Sequence, residues 1–113
     1  MIKGKTSLVT GSTSGIGLGI AEALAREGAN VILNGFGDAK EIEALRSRLA
    51  SSYGVKVTYD GADMSKASDI EAMMTRAAAA YGGVDILVNN AGDRKSTRLN
   101  SSHLRLSRMP SSA

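Results

Sequence analysis

The stretch Thr10-Gly11-Ser12-Thr13-Ser14-Gly15-Ile16-Gly17 limits what this chain can become more than any other. It follows a short β-prone run, Thr6-Ser7-Leu8-Val9, and leads into Ile16, Ile20, Ala23 and Leu24 at helical spacing, with Glu22, Arg26 and Glu27 off that face. The pattern predicts a strand, a glycine turn and a helix start. Three glycines spaced G-x-x-x-G-x-G let the backbone take conformations closed to residues with a Cβ and let a ligand come close to the main chain. The helix then points unpaired N–H groups and the positive end of its dipole into the turn, which favours an anion such as a pyrophosphate. The spacing is not G-x-G-x-x-G, and Gly15 is followed by Ile16 rather than by Lys and Ser or Thr, so this is not a Walker-type loop. A tight turn that binds nothing stays open as the alternative.

Beyond the turn, strand and helix signals alternate. Gly28 ends the first helix, Val31-Ile32-Leu33 predicts a second strand, and Asn34-Gly35-Phe36-Gly37-Asp38 a loop. A second helix is predicted from Ala39 to about Ala50, with Ile42, Leu45 and Leu49 on one stripe, and Gly54 ends it. Val55-Lys56-Val57-Thr58-Tyr59 alternates as a third strand should, and Asp60-Gly61-Ala62-Asp63 follows as a loop. The third helix is expected to begin between Ser65 and Ser68, where Ser68-Asp69-Ile70-Glu71 matches a capping box, with Ile70, Met73, Met74 and Ala77 at core spacing. After Tyr81-Gly82-Gly83, Val84-Asp85-Ile86-Leu87-Val88 predicts a fourth strand, apolar enough to be buried on both faces. Such alternation argues for an α/β fold, the N-terminal half of a Rossmann, doubly wound parallel sheet in strand order 3-2-1-4. That order sets Gly11 to Gly17 beside Asn89-Asn90-Ala91-Gly92 at the topological switch point.

The net charge of +3 raises a nucleic-acid reading, but its location argues otherwise. Residues 1–92 hold nine Lys or Arg against ten Asp or Glu, whereas residues 93–113 hold five basic residues and one acid. That basic tail has no aromatic residue for stacking and no recognisable motif, so no nucleic-acid partner is expected. Cysteine is absent, which excludes disulfides and thiolate metal sites and suits a reducing compartment. No run approaches the roughly 18 apolar residues of a membrane span, and the expectation is a cytoplasmic protein with no membrane partner.

Taken together, residues 1–92 resemble the N-terminal half of a short-chain dehydrogenase/reductase. Three motifs carry the resemblance: Thr10-Gly11-x-x-x-Gly15-x-Gly17 after the first strand, Asp63 after the third, and Asn89-Asn90-Ala91-Gly92 after the fourth. It implies a dinucleotide cofactor. Gly11, Ser12, Thr13, Ser14, Gly15, Ile16 and Gly17 would wrap the pyrophosphate and adjoining ribose, Asp63 and Met64 would flank the adenine, and Asn90, Ala91 and Gly92 would lie along the nicotinamide ribose. NAD-using relatives usually place an acid after the second strand, at a position that falls on Gly35 here, and Asp38 comes three residues late. No Arg or Lys stands at Ser14 or in residues 34–37 to pair with a 2′-phosphate. NAD is therefore favoured over NADP, with Asn34 or the backbone near Phe36 at the ribose. The implied reaction is hydride transfer between nicotinamide and a small 3-hydroxy acid, in a homo-oligomeric parent. Another reductase of the family, such as one acting on 3-oxoacyl thioesters, and a non-catalytic dinucleotide-binding module are the alternatives.

The family's catalytic serine and Tyr-x-x-x-Lys pair cannot be found. Tyr53 has Lys56 at i+3, Tyr59 has Asp63 at i+4, and Tyr81 has Asp85. A complete member is more than twice as long, so no catalytic residue is assigned and the chain itself is expected to be an inactive fragment. Residues 93–113 hold six serines and the only His and Pro of the chain, and they resemble translated sequencing-adapter DNA. The expected organisation is a truncated dinucleotide-binding domain over 1–92 and a non-native, disordered tail over 93–113.

Overall fold

A computed structural model describes residues 2–90 together with Leu104 and Arg105. In chain order the elements are β1 (Thr6–Val9), α1 (Gly15–Arg26), β2 (Asn30–Asn34), α2 (Ala39–Tyr53), β3 (Val57–Asp60), α3 (Ala67–Tyr81), β4 (Ile86–Val88) and β5 (Leu104–Arg105). The first four strands are parallel in the order β3-β2-β1-β4, as the alternation of strand and helix signals predicts. β1 is central, with Ser7, Leu8 and Val9 opposite Ile86, Leu87 and Val88 on one side and Val31, Ile32 and Leu33 on the other.

The period-2 pleat sends alternate residues of these strands into two different cores. Val9, Val31, Leu33, Val57, Ile86 and Val88 pack against α1 and α2 through Ala21, Ala25 and Leu49. Leu8 and Ile32 face the opposite way, onto Met73 and Ala77 of α3. Helices thus cover both faces, which is why the strands carry near-continuous apolar runs rather than polar alternation. Small residues on α1 let it lie close to the sheet, and Met73 fills the space under α3 as an apolar side chain.

Several boundaries differ from expectation. α2 runs on to Tyr53 before Gly54 takes the left-handed conformation at φ 66°, and β3 begins at Val57 rather than Val55. β4 begins at Ile86, because Asp85 is taken up in bridging to β1: its carboxylate accepts from Thr6 N at 3.0 Å and its N–H donates to Thr6 O at 2.8 Å. The capping box at Ser68 does not form. α3 does start within the expected range, at Ala67, but with Lys66 as its N-cap, two residues before Ser68, and the Asp69 carboxylate accepts from Asp63 N at 2.8 Å.

β5 adds antiparallel to β4, pairing Val88 with Leu104 and Leu87 with Arg105. Two residues of the tail are therefore strand, where no structure was expected; its other positions, like Ala91 and Gly92 of the expected site, lie outside the described residues.

Candidate cofactor-binding site

The carboxyl ends of β1, β2 and β4 converge on the glycine turn. Gly11 and Gly15 both take left-handed conformations, at φ 62° and 61°, which a residue with a Cβ adopts only at a cost. Gly17 is needed for a different reason. A Cβ there would lie 2.1 Å from Gly11 O and 2.6 Å from Asn90 Nδ2, so only glycine lets α1 come this close to the turn. Over Gly15, by contrast, the space where a Cβ would stand is open.

Among the described residues, no side chain seals the start of α1. Its N-cap, Ser14, makes no side-chain capping bond, and the first turn carries no acidic residue. The N-terminal N–H groups and the positive dipole end thus face open space beside a bare glycine, a setting in which an anion is stabilised. A dinucleotide pyrophosphate fits these residues.

Behind this surface, the polar side chains hold the turn in place. Ser12 is fully buried; its hydroxyl donates to Val9 O at 2.7 Å and accepts from Asn34 N at 3.0 Å, and Ser12 N donates to Asn34 O at 2.6 Å. Asn34 is 1% exposed. Its Oδ1 accepts from Gly11 N at 3.3 Å, and its Nδ2 donates to Asp60 O and Ala62 O, each at 3.0 Å. One amide thereby ties the glycine turn to the end of β3. Both Ser12 and Asn34 are thus engaged within the protein through their side chains.

On the other side, Thr10 joins β1 to the end of β4. Its hydroxyl lies 3.3 Å from Asn89 Oδ1 and accepts from Asn90 N at 2.9 Å, while Asn90 Nδ2 donates to Gly11 O at 3.2 Å. Asn90 therefore braces the same carbonyl that Gly17 packs against. The turn and the end of β4 are adjacent, as the 3-2-1-4 order requires.

Further from the turn, Thr13 Oγ1 donates to Phe36 O at 3.1 Å and the Tyr59 hydroxyl donates to Gly35 O. Ile16 and Phe36 stand 71% and 72% exposed on either side. A cleft of about 320 Å³ opens between α1 and α2, lined by Thr13, Ser14, Phe36, Asp38 and Glu41 over Leu18 and Ile42. Asp38 caps α2, accepting from Lys40 N and Glu41 N at 3.1 Å each. The Asp63 carboxylate accepts from Ser65 Oγ at 2.6 Å and Ser65 N at 2.9 Å, and these bonds hold its pKa below the ordinary aspartate value. Met64 packs beside the α3-side core. The contacts that sequence reasoning missed are the tie from the Thr10 hydroxyl to the end of β4, the Tyr59 bond to the loop and the cap at Asp38. Only the last left a local signal, an acid just ahead of a helical stripe with Glu41 three residues on.

Comparison with known proteins agrees with this geometry. The family model for short chain dehydrogenases matches residues 5–108. Among curated relatives, the chain is 62% identical over 93 residues to a D-beta-hydroxybutyrate dehydrogenase of Cupriavidus necator, covering 81% of this chain and 35% of that protein. It is 52% identical over 88 residues to a D-beta-hydroxybutyrate dehydrogenase of Rhizobium meliloti, covering 78% and 34%. The chain thus spans about a third of the length of these relatives. Among solved structures it is similar to L-sorbose reductase from Gluconobacter frateurii complexed with NADPH and L-sorbose, with a TM-score of 0.76 and 38% identity over 81% of this chain and 35% of that one. With its parallel 3-2-1-4 sheet, its open helix start at the glycine turn and a family match over most of its length, the chain belongs to the short-chain dehydrogenase family.

Proposed function

We propose that residues 1–92 are the cofactor-binding part of an NAD-dependent oxidoreductase acting on a small 3-hydroxy acid, with 3-hydroxybutyrate and acetoacetate as the leading pair. The observation that carries the cofactor reading is the uncapped start of α1 over Gly15. The substrate reading rests on the 62% identity to a D-beta-hydroxybutyrate dehydrogenase. When bound, the cofactor supplies nicotinamide C4, which accepts a hydride from the carbon bearing the hydroxyl as the alcohol proton leaves, or returns it to the ketone.

This chain's residues do the binding. Backbone N–H groups of Thr13 to Gly17 would hold the pyrophosphate, Asp63 and Met64 would flank the adenine, and Asn90, with Ala91 and Gly92 outside the described residues, would lie along the nicotinamide ribose. Ser12 and Asn34 act from behind, by shaping the turn and the ribose loop. NAD is favoured because the lining of the 320 Å³ cleft offers two carboxylates, Asp38 and Glu41, and no cation to a 2′-phosphate. Proton transfer is assigned to none of these residues, and residues 93–113, with their separate charge balance, are read as non-native.

Two measurements test this. Calorimetric titration of the 113-residue chain should show NAD bound more tightly than NADP; equal affinities would remove the NAD assignment. Sequencing the uninterrupted gene should find a Ser and a Tyr-x-x-x-Lys downstream of residue 92. Their absence would favour a dinucleotide-binding module without catalysis. If they are present, turnover of 3-oxoacyl thioesters in place of 3-hydroxybutyrate would redirect the substrate reading to a different reductase.

A further inference from the structure

The loop between β2 and α2 carries an unusual pair of restraints. Tyr59, on β3, donates its hydroxyl to Gly35 O, and Thr13, in the glycine turn, donates its hydroxyl to Phe36 O. Two consecutive carbonyls are thus held by side chains from two different parts of the fold. Glycines frame both contacts. A Cβ on Gly61 would lie 3.2 Å from the Tyr59 hydroxyl, and a Cβ on Gly35, at φ 148°, would lie 2.7 Å from Thr13 Oγ1. The acid that NAD-using relatives place at this point cannot stand at Gly35 without strain and collision. Something other than a side chain at residue 35 must therefore read the ribose.

We infer that Tyr59 is a positioning residue for the adenosine ribose, acting through the Gly35–Phe36 peptide. In a trans peptide the N–H points opposite to the C=O. Holding the Gly35 carbonyl on Tyr59 therefore turns the Phe36 N–H away from β3, and among the described residues that N–H has no acceptor. A hydrogen bond donated by a tyrosine hydroxyl also polarises the peptide it reaches, strengthening the N–H on the far side as a donor. The fixed Phe36 N–H replaces the missing carboxylate, as a donor to the ribose 2′-hydroxyl instead of an acceptor from it. Tyr59 does not touch the ribose itself. Thr13 fixes the following peptide, so the loop enters binding already ordered and little conformational entropy is lost there.

The inference rests on the NAD reading above, and one experiment separates the two. Dissociation constants for NAD and for its 2′-deoxyadenosine analogue are measured by calorimetry on the 113-residue chain and on Tyr59→Phe. The wild type should prefer NAD. Tyr59→Phe should weaken NAD by about three- to tenfold, the range for loss of one hydrogen bond, and leave the analogue's affinity unchanged. A purely structural role for Tyr59 would weaken both ligands alike, and that result overturns the inference, as does no effect on either. Gly61→Ala, which crowds the Tyr59 hydroxyl, should reproduce the selective loss if Tyr59→Phe melts early. A wild type that binds NAD and the analogue equally removes the inference while leaving the NAD reading intact. A wild type that binds neither removes both.

Discussion

The starts of α1 and α2 lie at the same end of the sheet, each following a parallel strand, yet they are finished in opposite ways. α2 is closed by the protein itself: the Asp38 carboxylate takes two of its orphan N–H groups, and Glu41 sits in its first turn. α1 has a serine at the corresponding position that caps nothing, no acid in its first turn and open space over Gly15. Exposed N–H groups at a helix start are a deficit to be met by side chain, water or ligand. Where α2 needs only to be stable, a carboxylate meets the deficit. Where α1 faces the candidate site, no described side chain meets it, and the proposed function assigns that place to an anion.

The comparison breaks most severely at Gly17. Alanine in an exposed helix interior normally stabilises relative to glycine, and Gly19, with nothing within 4 Å of its missing Cβ, should gain about 0.5–1 kcal/mol as Gly19→Ala. Gly17→Ala puts a methyl into Gly11 O, so it should cost about 3 kcal/mol or more through overpacking and remove the dinucleotide binding proposed above. Thermal melts of the two variants, two residues apart on one helix, check this; equal melts would mean the turn can relax. Next in size is Asn34→Ala. It strands Gly11 N, Asp60 O and Ala62 O, and a loss of about 2 kcal/mol is expected from unmet buried partners, read by denaturant titration.

A smaller pair of substitutions sharpens the contrast directly. Asp38→Ala should cost about 1 kcal/mol, the usual value of an N-cap, whereas Ser14→Ala should change stability by no more than about 0.3 kcal/mol, since no side-chain bond is lost. Equal costs from the two would show that Ser14 caps α1 in solution and would remove the distinction between the helix starts.

The parts of this molecule that were legible in sequence are those specified by local chemistry. Glycine spacing, apolar runs and helical stripes give four strands, three helices and their order, because each signal acts within a few residues. The Ser68 capping box misleads because the chain enters α3 two residues earlier, at Lys66, which puts Ser68 inside the first turn, while the neighbouring Asp69 carboxylate takes Asp63 N. Asn34 is harder still. It ends an apolar strand and reads as a loop residue free to meet a ribose, but Gly11 N, Asp60 O and Ala62 O come together only once β1, β2 and β3 are side by side. Tyr59 poses the same difficulty, as its hydroxyl meets a carbonyl 24 residues away in sequence.

The smallest expected effect lies where the two helices meet on their exposed sides. Glu22 of α1 accepts from Tyr53 Oη at 2.8 Å and from Arg48 Nη1 at 3.2 Å, both on α2. The hydrogen bond from Arg48, followed by that from Tyr53, lowers the Glu22 pKa below its ordinary value. A carboxyl with a depressed folded pKa binds protons less readily when folded than when unfolded, so its contribution is complete above the unfolded pKa and fades as pH falls through the folded one. Glu22→Gln cannot titrate. The gap in melting temperature between wild type and Glu22→Gln should therefore be constant near neutral pH and shift against the wild type as the solution is acidified past the ordinary glutamate range. Because the pair is solvent-screened, the shift should be smaller than the loss from Asp38→Ala and should shrink further in high salt. Parallel acid limbs for the two proteins would mean that α1 and α2 are joined by their buried alanines and leucines alone.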